Sequence, residues 1–170
     1  VEIVRDPALC AEVTIQPARD NTLFEDASGS LSNGAGPVLF AGNNGQNLAR
    51  RALLRFDIAG SLPPGASVGD VMLTLNVSNA PNTTHRTFTL HRVLRDWGEG
   101  TSSTTGGSGE PATPDDATWL HTYYPSQLWE GPGGEFISAA SASQSVSGLG
   151  FYTWTDAGLT ADVQAWLDHP

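Results

Sequence analysis

Glycine and proline interrupt this 170-residue chain 19 and 11 times, and that punctuation constrains it more than any other feature. In a helix interior each costs about 1 and about 3 kcal/mol relative to alanine, so a bundle of long helices is excluded. Between the breaks lie short runs in which apolar residues alternate with polar ones, the period of strands with one buried face. The pattern predicts an all-β chain: one jelly-roll-like antiparallel β-sandwich spanning residues 1–170, with long irregular loops and one short C-terminal helix.

Glu12–Gln16 alternates with β-branched residues and reads as a first strand, which Pro17 then ends. Residues 27–37 contain almost every turn former and read as a loop, followed by a short buried strand over Val38–Ala41. The clearest strand runs from Arg50 to Ile58. A period of two sets Ala52, Leu54, Phe56 and Ile58 on a core face and Arg51, Leu53, Arg55 and Asp57 on a charged face. Val71–Val77 and Arg86–Val93 read as an antiparallel pair, and residues 98–116 as a surface excursion. Leu149–Trp154 is strand-like. Asp156–Trp166 is the one convincing helix, because Leu159, Val163, Trp166 and Leu167 recur on one face; Thr160 is an alternative cap.

The eight basic residues are all arginine, and against 18 acids they leave a net charge of −10, which argues against nucleic acid as a partner. No run approaches the roughly 18 apolar residues of a membrane span, so insertion is not expected. Cys10 is the single cysteine, which excludes an intrachain disulfide framework.

No nucleophile elbow, Walker loop or zinc-helix motif is present, and the four histidines are scattered without ligand spacing. Asp96-Trp97-Gly98-Glu99-Gly100 sets a tryptophan between two carboxylates. It reads either as a catalytic or ligand-holding pair, or as a packed indole with acids solvated or holding backbone NH groups. Asp20, Asn21, Glu25 and Asp26 gather oxygen donors in a short stretch, either a site for a structural Ca²⁺ or a solvated acidic loop. Five tryptophans are many for this length. Trp97, Trp119 and Trp129 are candidates for stacking on sugar rings, although at least three of the five should be structural. Arg51 and Arg55, two apart on a strand, share a face and would form a cationic strip for an acidic sugar.

The segments Asp20-Asn21-Thr22-Leu23-Phe24, Ser32-Asn33-Gly34-Ala35-Gly36, Arg51-Ala52-Leu53-Leu54-Arg55-Phe56-Asp57, Leu62-Pro63-Pro64-Gly65-Ala66, Asp96-Trp97-Gly98-Glu99-Gly100, Ala117-Thr118-Trp119-Leu120-His121 and Trp166-Leu167-Asp168 together resemble the bacterial DNRLRE-domain proteins. That family is in turn similar to carbohydrate-binding modules for acidic polysaccharides. The resemblance spans nearly the whole chain. It implies a secreted or surface-attached jelly-roll module that is not itself an enzyme. Family members continue beyond the Trp-Leu-Asp helix into further strands, so the resemblance also implies a sandwich lacking its last strands at Pro170, with an edge open to another chain.

The expected function is therefore non-catalytic binding of a polysaccharide by Arg51, Arg55, Trp97, Glu99, Trp119 and Trp129, with a structural Ca²⁺ at Asp20, Asn21, Glu25 and Asp26. The alternative is a structural subunit of an extracellular fibre or matrix that self-associates by strand donation. A glycan hydrolase or lyase using Asp96 and Glu99 ranks last.

Overall fold

The computed structural model describes residues 11–170; Cys10 lies outside them. In chain order the elements are β1 (Arg19–Phe24), β2 (Leu31–Ser32), β3 (Gly42–Asn43), β4 (Ala49–Arg55), α1 (Ile58–Ser61), β5 (Leu73–Val77), β6 (Arg86–Leu90), β7 (Glu110–Pro111), β8 (His121–Tyr123), β9 (Gln127–Leu128), β10 (Ala142–Val146), β11 (Gly150–Trp154) and α2 (Ala157–Asp168). The fold is all-β and sandwich-like, every strand pairing is antiparallel, and α2 is the short C-terminal helix the sequence predicts.

The first sheet has the order β1-β4-β3, with Thr22 opposite Ala52 and Arg19 opposite Arg55. Its first strand is not the one expected. Residues 11–17 form no strand, and pairing starts two residues after Pro17, in the stretch read as an acidic loop. Ile15 instead packs against the helices with Ile58, Val163 and Leu167, so its apolar side chain finds a core without a ladder. Val38–Ala41 is likewise not a strand. Its hydrophobes serve packing, the Phe40 ring lying 5.9 Å from Phe24.

Strand β4 stops at Arg55, because Asp57 caps α1 by accepting the Gly60 NH at 2.9 Å. Its burial follows the expected face only in part: Ile58 is buried and Leu54 and Phe56 are half-buried, but Ala52 is exposed and Leu53, from the charged face, is buried. Alternation alone could not settle this, because each face carries both apolar and charged residues. What decides it is the loop layer of Trp97, Ala117 and Trp129, which closes over Leu53 and Leu23.

The expected β5–β6 hairpin does not form. β5 pairs with β11, Leu75 opposite Tyr152, while β6 pairs with β10, Phe88 opposite Gln144. Strands adjacent in sequence thus sit in different sheets. The two layers face each other across a cluster of Ala142, Val146, Trp154 and Leu159, with Leu73, Leu75, Val77, Phe88 and Leu90 packed against it. Two bonds tie the layers directly: Trp154 Nε1 donates to the Phe88 carbonyl at 2.9 Å and Gln144 Nε2 to the Thr153 carbonyl at 2.7 Å. The inward phase of Val71–Val77 is as the alternation predicts.

Helix α2 is capped by Asp156, whose carboxylate accepts the Gly158 NH at 3.0 Å, and it buries Leu159, Val163 and Leu167. Thr160 lies inside the first turn, and Trp166 points outward at 36% exposure. Residues 98–116 are not a detached excursion. β7 pairs with β2, and Ser102 and Asp116 are buried in a polar knot beneath.

Candidate functional site

Strand β4 sends Arg51, Leu53 and Arg55 to one face, and the structure accounts for each. Leu53 enters the core with Leu23, Trp97, Ala117 and Trp129. The Arg51 guanidinium lies between two aromatic rings, 4.9 Å from the Trp119 centroid and 5.1 Å from Phe136, and its Nη1 donates to the Gly133 carbonyl at 2.5 Å. Gly133 makes this approach possible: its φ is 85°, and a Cβ there would fall 2.7 Å from Arg51 Nη1 and 2.8 Å from the Trp119 ring. Burial pushes the Arg51 pKa down, opposed by the charge of Glu25.

Arg55 pairs with the Asp96 carboxylate. Asp96 also accepts the Tyr123 hydroxyl at 2.5 Å and lies 3.5 Å from Arg19 Nη1, which donates to the Trp97 carbonyl at 2.9 Å. Burial alone would raise the Asp96 pKa; the Tyr123 hydroxyl, Arg55, the Trp97 NH and Arg19 outweigh it and hold the carboxyl below its ordinary range. Burial and the hydrogen bond to Asp96 push the Tyr123 hydroxyl up. The cationic strip read from the sequence is thus two arginines on one face, separated by a buried leucine and each occupied by a different partner.

The depressed Asp96 pKa has a definite sign. An acid whose folded pKa lies below its unfolded value of about 3.9 contributes stability above that value and loses it as pH falls through the folded pKa. Asp96→Asn is expected to flatten the acid limb of melting temperature against pH below about pH 4, leaving the limb near neutrality parallel to the parent's. Thermal melts across that range check it; an unchanged acid limb would deny the Asp96 cluster any share.

Glu99 does not face Asp96's partners. Its Oε1 accepts the Asp20 NH at 3.0 Å, and its carbonyl accepts Asn21 Nδ2 at 3.0 Å. This is the backbone-holding arrangement weighed for the Asp-Trp-Gly-Glu-Gly segment. Burial, followed by the Glu99 charge, pushes the Asp20 carboxyl up. Trp97 and Trp129 are 4% and 5% exposed, so the structure places both indoles in the core rather than on the surface where a sugar would stack. Trp129 Nε1 is spent on the Thr118 carbonyl at 2.9 Å. With Trp154 at 4%, three of the five tryptophans are core, and Trp119 and Trp166 keep part of their surface.

The four oxygen donors expected around calcium are not gathered as the sequence suggested. Asp20 and Asn21 are successive strand residues and so project to opposite faces. Asn21 is fully buried, its Oδ1 accepting the Ser32 hydroxyl at 2.9 Å and the Asn33 NH at 3.3 Å. Glu25 accepts the Ala49 NH at 2.6 Å, and Asp26 holds the Ser28 hydroxyl and the Ser30 NH. The Ser28 hydroxyl is the main cause that holds the Asp26 carboxyl below its ordinary range.

Glu25 and Asp26 do share one feature. Together with Ala27, Leu48 and Trp119 they line an open hollow of ≈ 370 Å³. Sequence reasoning selected Trp119, Glu25 and Asp26, but for different purposes. It missed Leu48 and Phe136, and nothing in their local sequence marks them: Phe136 follows a glycine turn, and only the fold carries it to Arg51. Arg19 and Tyr123, the other partners of Asp96, carried no signal either.

Comparison of the chain with protein-family models, with curated proteins and with solved structures finds no match.

Proposed function

We propose that this chain is a secreted or surface-attached, non-catalytic module that binds polysaccharide, with Trp119 as its stacking platform. The supporting observation is the hollow itself. A part-exposed indole, with the Arg51 guanidinium 4.9 Å from its ring centroid, borders a concavity that Glu25, Asp26 and Leu48 also line. Sugar rings are bound by that combination, an apolar ring face against an aromatic and hydroxyls against fixed acceptors. The resemblance to DNRLRE-domain proteins supports the same reading.

Affinity electrophoresis through gels containing neutral and acidic polysaccharides tests it, run once with Ca²⁺ and once with chelator. Retardation by at least one polymer is expected, and it is lost in Trp119→Leu. Migration unchanged in every gel would remove the proposal. Slower migration or a higher melting temperature only with Ca²⁺ would add the structural ion, carried by Glu25 and Asp26 with backbone carbonyls.

A second reading, a fibre or matrix subunit completed by a strand from a neighbour, is favoured by one observation. Among the described residues β5–β11 and β6–β10 are two-stranded, and Leu73, Leu75, Val77 and Phe88 between them are only half-buried. Such edges invite pairing. Light scattering over a concentration series separates the two: constant monomeric mass goes with the binding module, growing mass with the subunit. Hydrolysis or elimination by Asp96 and Glu99 is the least supported reading, since each carboxylate is engaged by its own set of protein donors.

A further inference from the structure

We propose that Asn44-Gly45, in the turn between β3 and β4, is a site of spontaneous covalent modification, where the main-chain nitrogen of Gly45 displaces the side-chain nitrogen of Asn44 and leaves an aspartyl or isoaspartyl residue at position 44. This is independent of the binding reading. Three groups take part, and the turn leaves each in a reactive state. The electrophile is Asn44 Cγ. Its oxygen accepts the Gln46 and Leu48 NH groups, each at 2.9 Å, so two donors are already aimed at the atom on which negative charge develops during attack. The nucleophile, Gly45 N, and the leaving group, Asn44 Nδ2, have no hydrogen-bond partner among the described residues. Gly45 is exposed and has no side chain to obstruct ring closure.

The chain's second Asn-Gly pair, Asn33-Gly34, serves as an internal comparison. Asn33 Oδ1 is polarised as well, by the Thr104 NH at 2.6 Å, but the other two groups are held: Asn33 Nδ2 donates to the Val38 carbonyl at 2.7 Å and the Gly34 NH to Ser102 Oγ at 3.1 Å. Both residues are buried, away from the water that must take and supply protons. The fold thus protects one pair and exposes the other.

The step balances with water alone. Gly45 N loses its proton to hydroxide and bonds to Asn44 Cγ, closing a succinimide ring. The Cγ–Nδ2 bond breaks, and Nδ2 takes a proton from water and leaves as ammonia. Water then opens the ring at Cγ, giving the aspartyl residue, or at the main-chain carbonyl, giving the isoaspartyl one. One water is consumed and one ammonia released, with nothing oxidised or reduced. In the isoaspartyl form the main chain runs through Cβ and Cγ, which lengthens the turn by a methylene and removes from it the Asn44 carbonyl that accepts the Asn47 NH at 2.9 Å. Leu48 is tied to Asn44 twice, its NH to Oδ1 and its carbonyl to the Asn44 NH at 3.0 Å, so the change reaches a wall of the Trp119 hollow.

The test incubates the full chain at neutral and mildly alkaline pH, native and in urea, and follows it by peptide mapping in the mass spectrometer and by isoaspartyl methyltransferase labelling. In the native chain the small mass gain of NH₂-to-OH exchange is expected at position 44 and not at position 33, faster as pH rises because the nucleophile must lose its proton. In urea, position 33 joins it. Gly45→Ala is expected to lose most of the modification, because its methyl crowds the attacking nitrogen. The melting temperature should not change, since nothing lies within 4 Å of a Cβ there and the φ of Gly45 is not left-handed. In the isoaspartyl form, separated by ion exchange, the Leu48 NH should lose its protection from hydrogen exchange.

A native chain that stays unmodified at position 44 would overturn the proposal; were the unfolded chain to react there meanwhile, the two NH bonds would be shown to hold Asn44 away from ring closure. Equal modification of positions 33 and 44 in the native chain would overturn it too, as would full persistence in Gly45→Ala. Retained protection of the Leu48 NH in the isoaspartyl form would overturn the coupling to the wall of the hollow.

Discussion

Asn21→Ala is expected to lower the melting temperature by roughly 10 °C or more, although it removes only a small polar side chain. Asn21 has no exposed surface, and it joins three segments: its Oδ1 accepts the Ser32 hydroxyl at 2.9 Å and the Asn33 NH at 3.3 Å, and its Nδ2 donates to the Glu99 carbonyl at 3.0 Å. Truncation leaves the Asn33 NH and the Glu99 carbonyl buried without this partner, at about 1–3 kcal/mol each, while the Ser32 hydroxyl keeps the Ala117 carbonyl at 2.9 Å; about 4 kcal/mol in all is a reasonable sum. Asn21→Asp should be at least as damaging, since it replaces the donor facing the Glu99 carbonyl with an acceptor and buries a charge. Melts with Ca²⁺ and with chelator add a second readout. If Asn21 is a structural hub, as its contacts indicate, the loss is the same in both; a loss seen only with Ca²⁺ would return it to the role the sequence suggested. A fall of only a degree or two would show that the polar knot relaxes around the missing amide.

Gly34→Ala should be comparably severe for a steric reason. A Cβ at Gly34 would sit 1.5 Å from the Glu99 carbonyl oxygen and 2.9 Å from Asp116 Oδ1. The first of these is backbone, so no rotamer change relieves it, and the loop after β2 must separate from the segment around Glu99. Overpacking costs about 1–3 kcal/mol and occasionally more, and a clash with backbone belongs at or above the top of that range, enough to unfold a marginal domain at physiological temperature. Urea denaturation reads it directly as a lower midpoint. Because the displaced carbonyl is the one Asn21 Nδ2 donates to, the double variant should lose less than the sum of the two single losses. Full additivity would show that the two residues act on separate parts of the structure. A Gly34→Ala variant as stable as the parent would mean that the two loops pack less closely than the structure places them.

The same knot explains why this region is misread from the sequence. Asp20, Asn21, Glu25 and Asp26 look like a loop because acids and amides are poor strand formers and because acidic clusters commonly hold cations. Asn21 and Thr22 are nevertheless core residues, buried as completely as Leu23 and Phe24 beside them. A polar side chain can occupy a core only when every bond it loses to water is replaced, and its replacements here come from residues 32, 33 and 99. Asp116 follows the same logic. It is fully buried, its pKa pushed up by burial, and is satisfied by the Ser102 hydroxyl at 3.0 Å and the Thr113 NH at 2.6 Å. No local pattern announces such partners.

The density of turn formers and the period-two runs were enough to establish an all-β chain, the inward face of β5, the capped helix α2 and its buried Leu159, Val163 and Leu167, because these depend on residues a few positions apart. Strand partners, the buried side of β4 and the fate of each charged or aromatic side chain were decided only in three dimensions. β5 and β6 each prefer a C-terminal strand to one another, Leu53 is buried because loops from positions 97 to 129 close over it, and Arg51 is captured by rings 68 and 85 residues away. Local alternation sets which side chains share a face. Which face loses its water, and which guanidinium is left to meet a ligand, depends on what distant segments arrive to cover it.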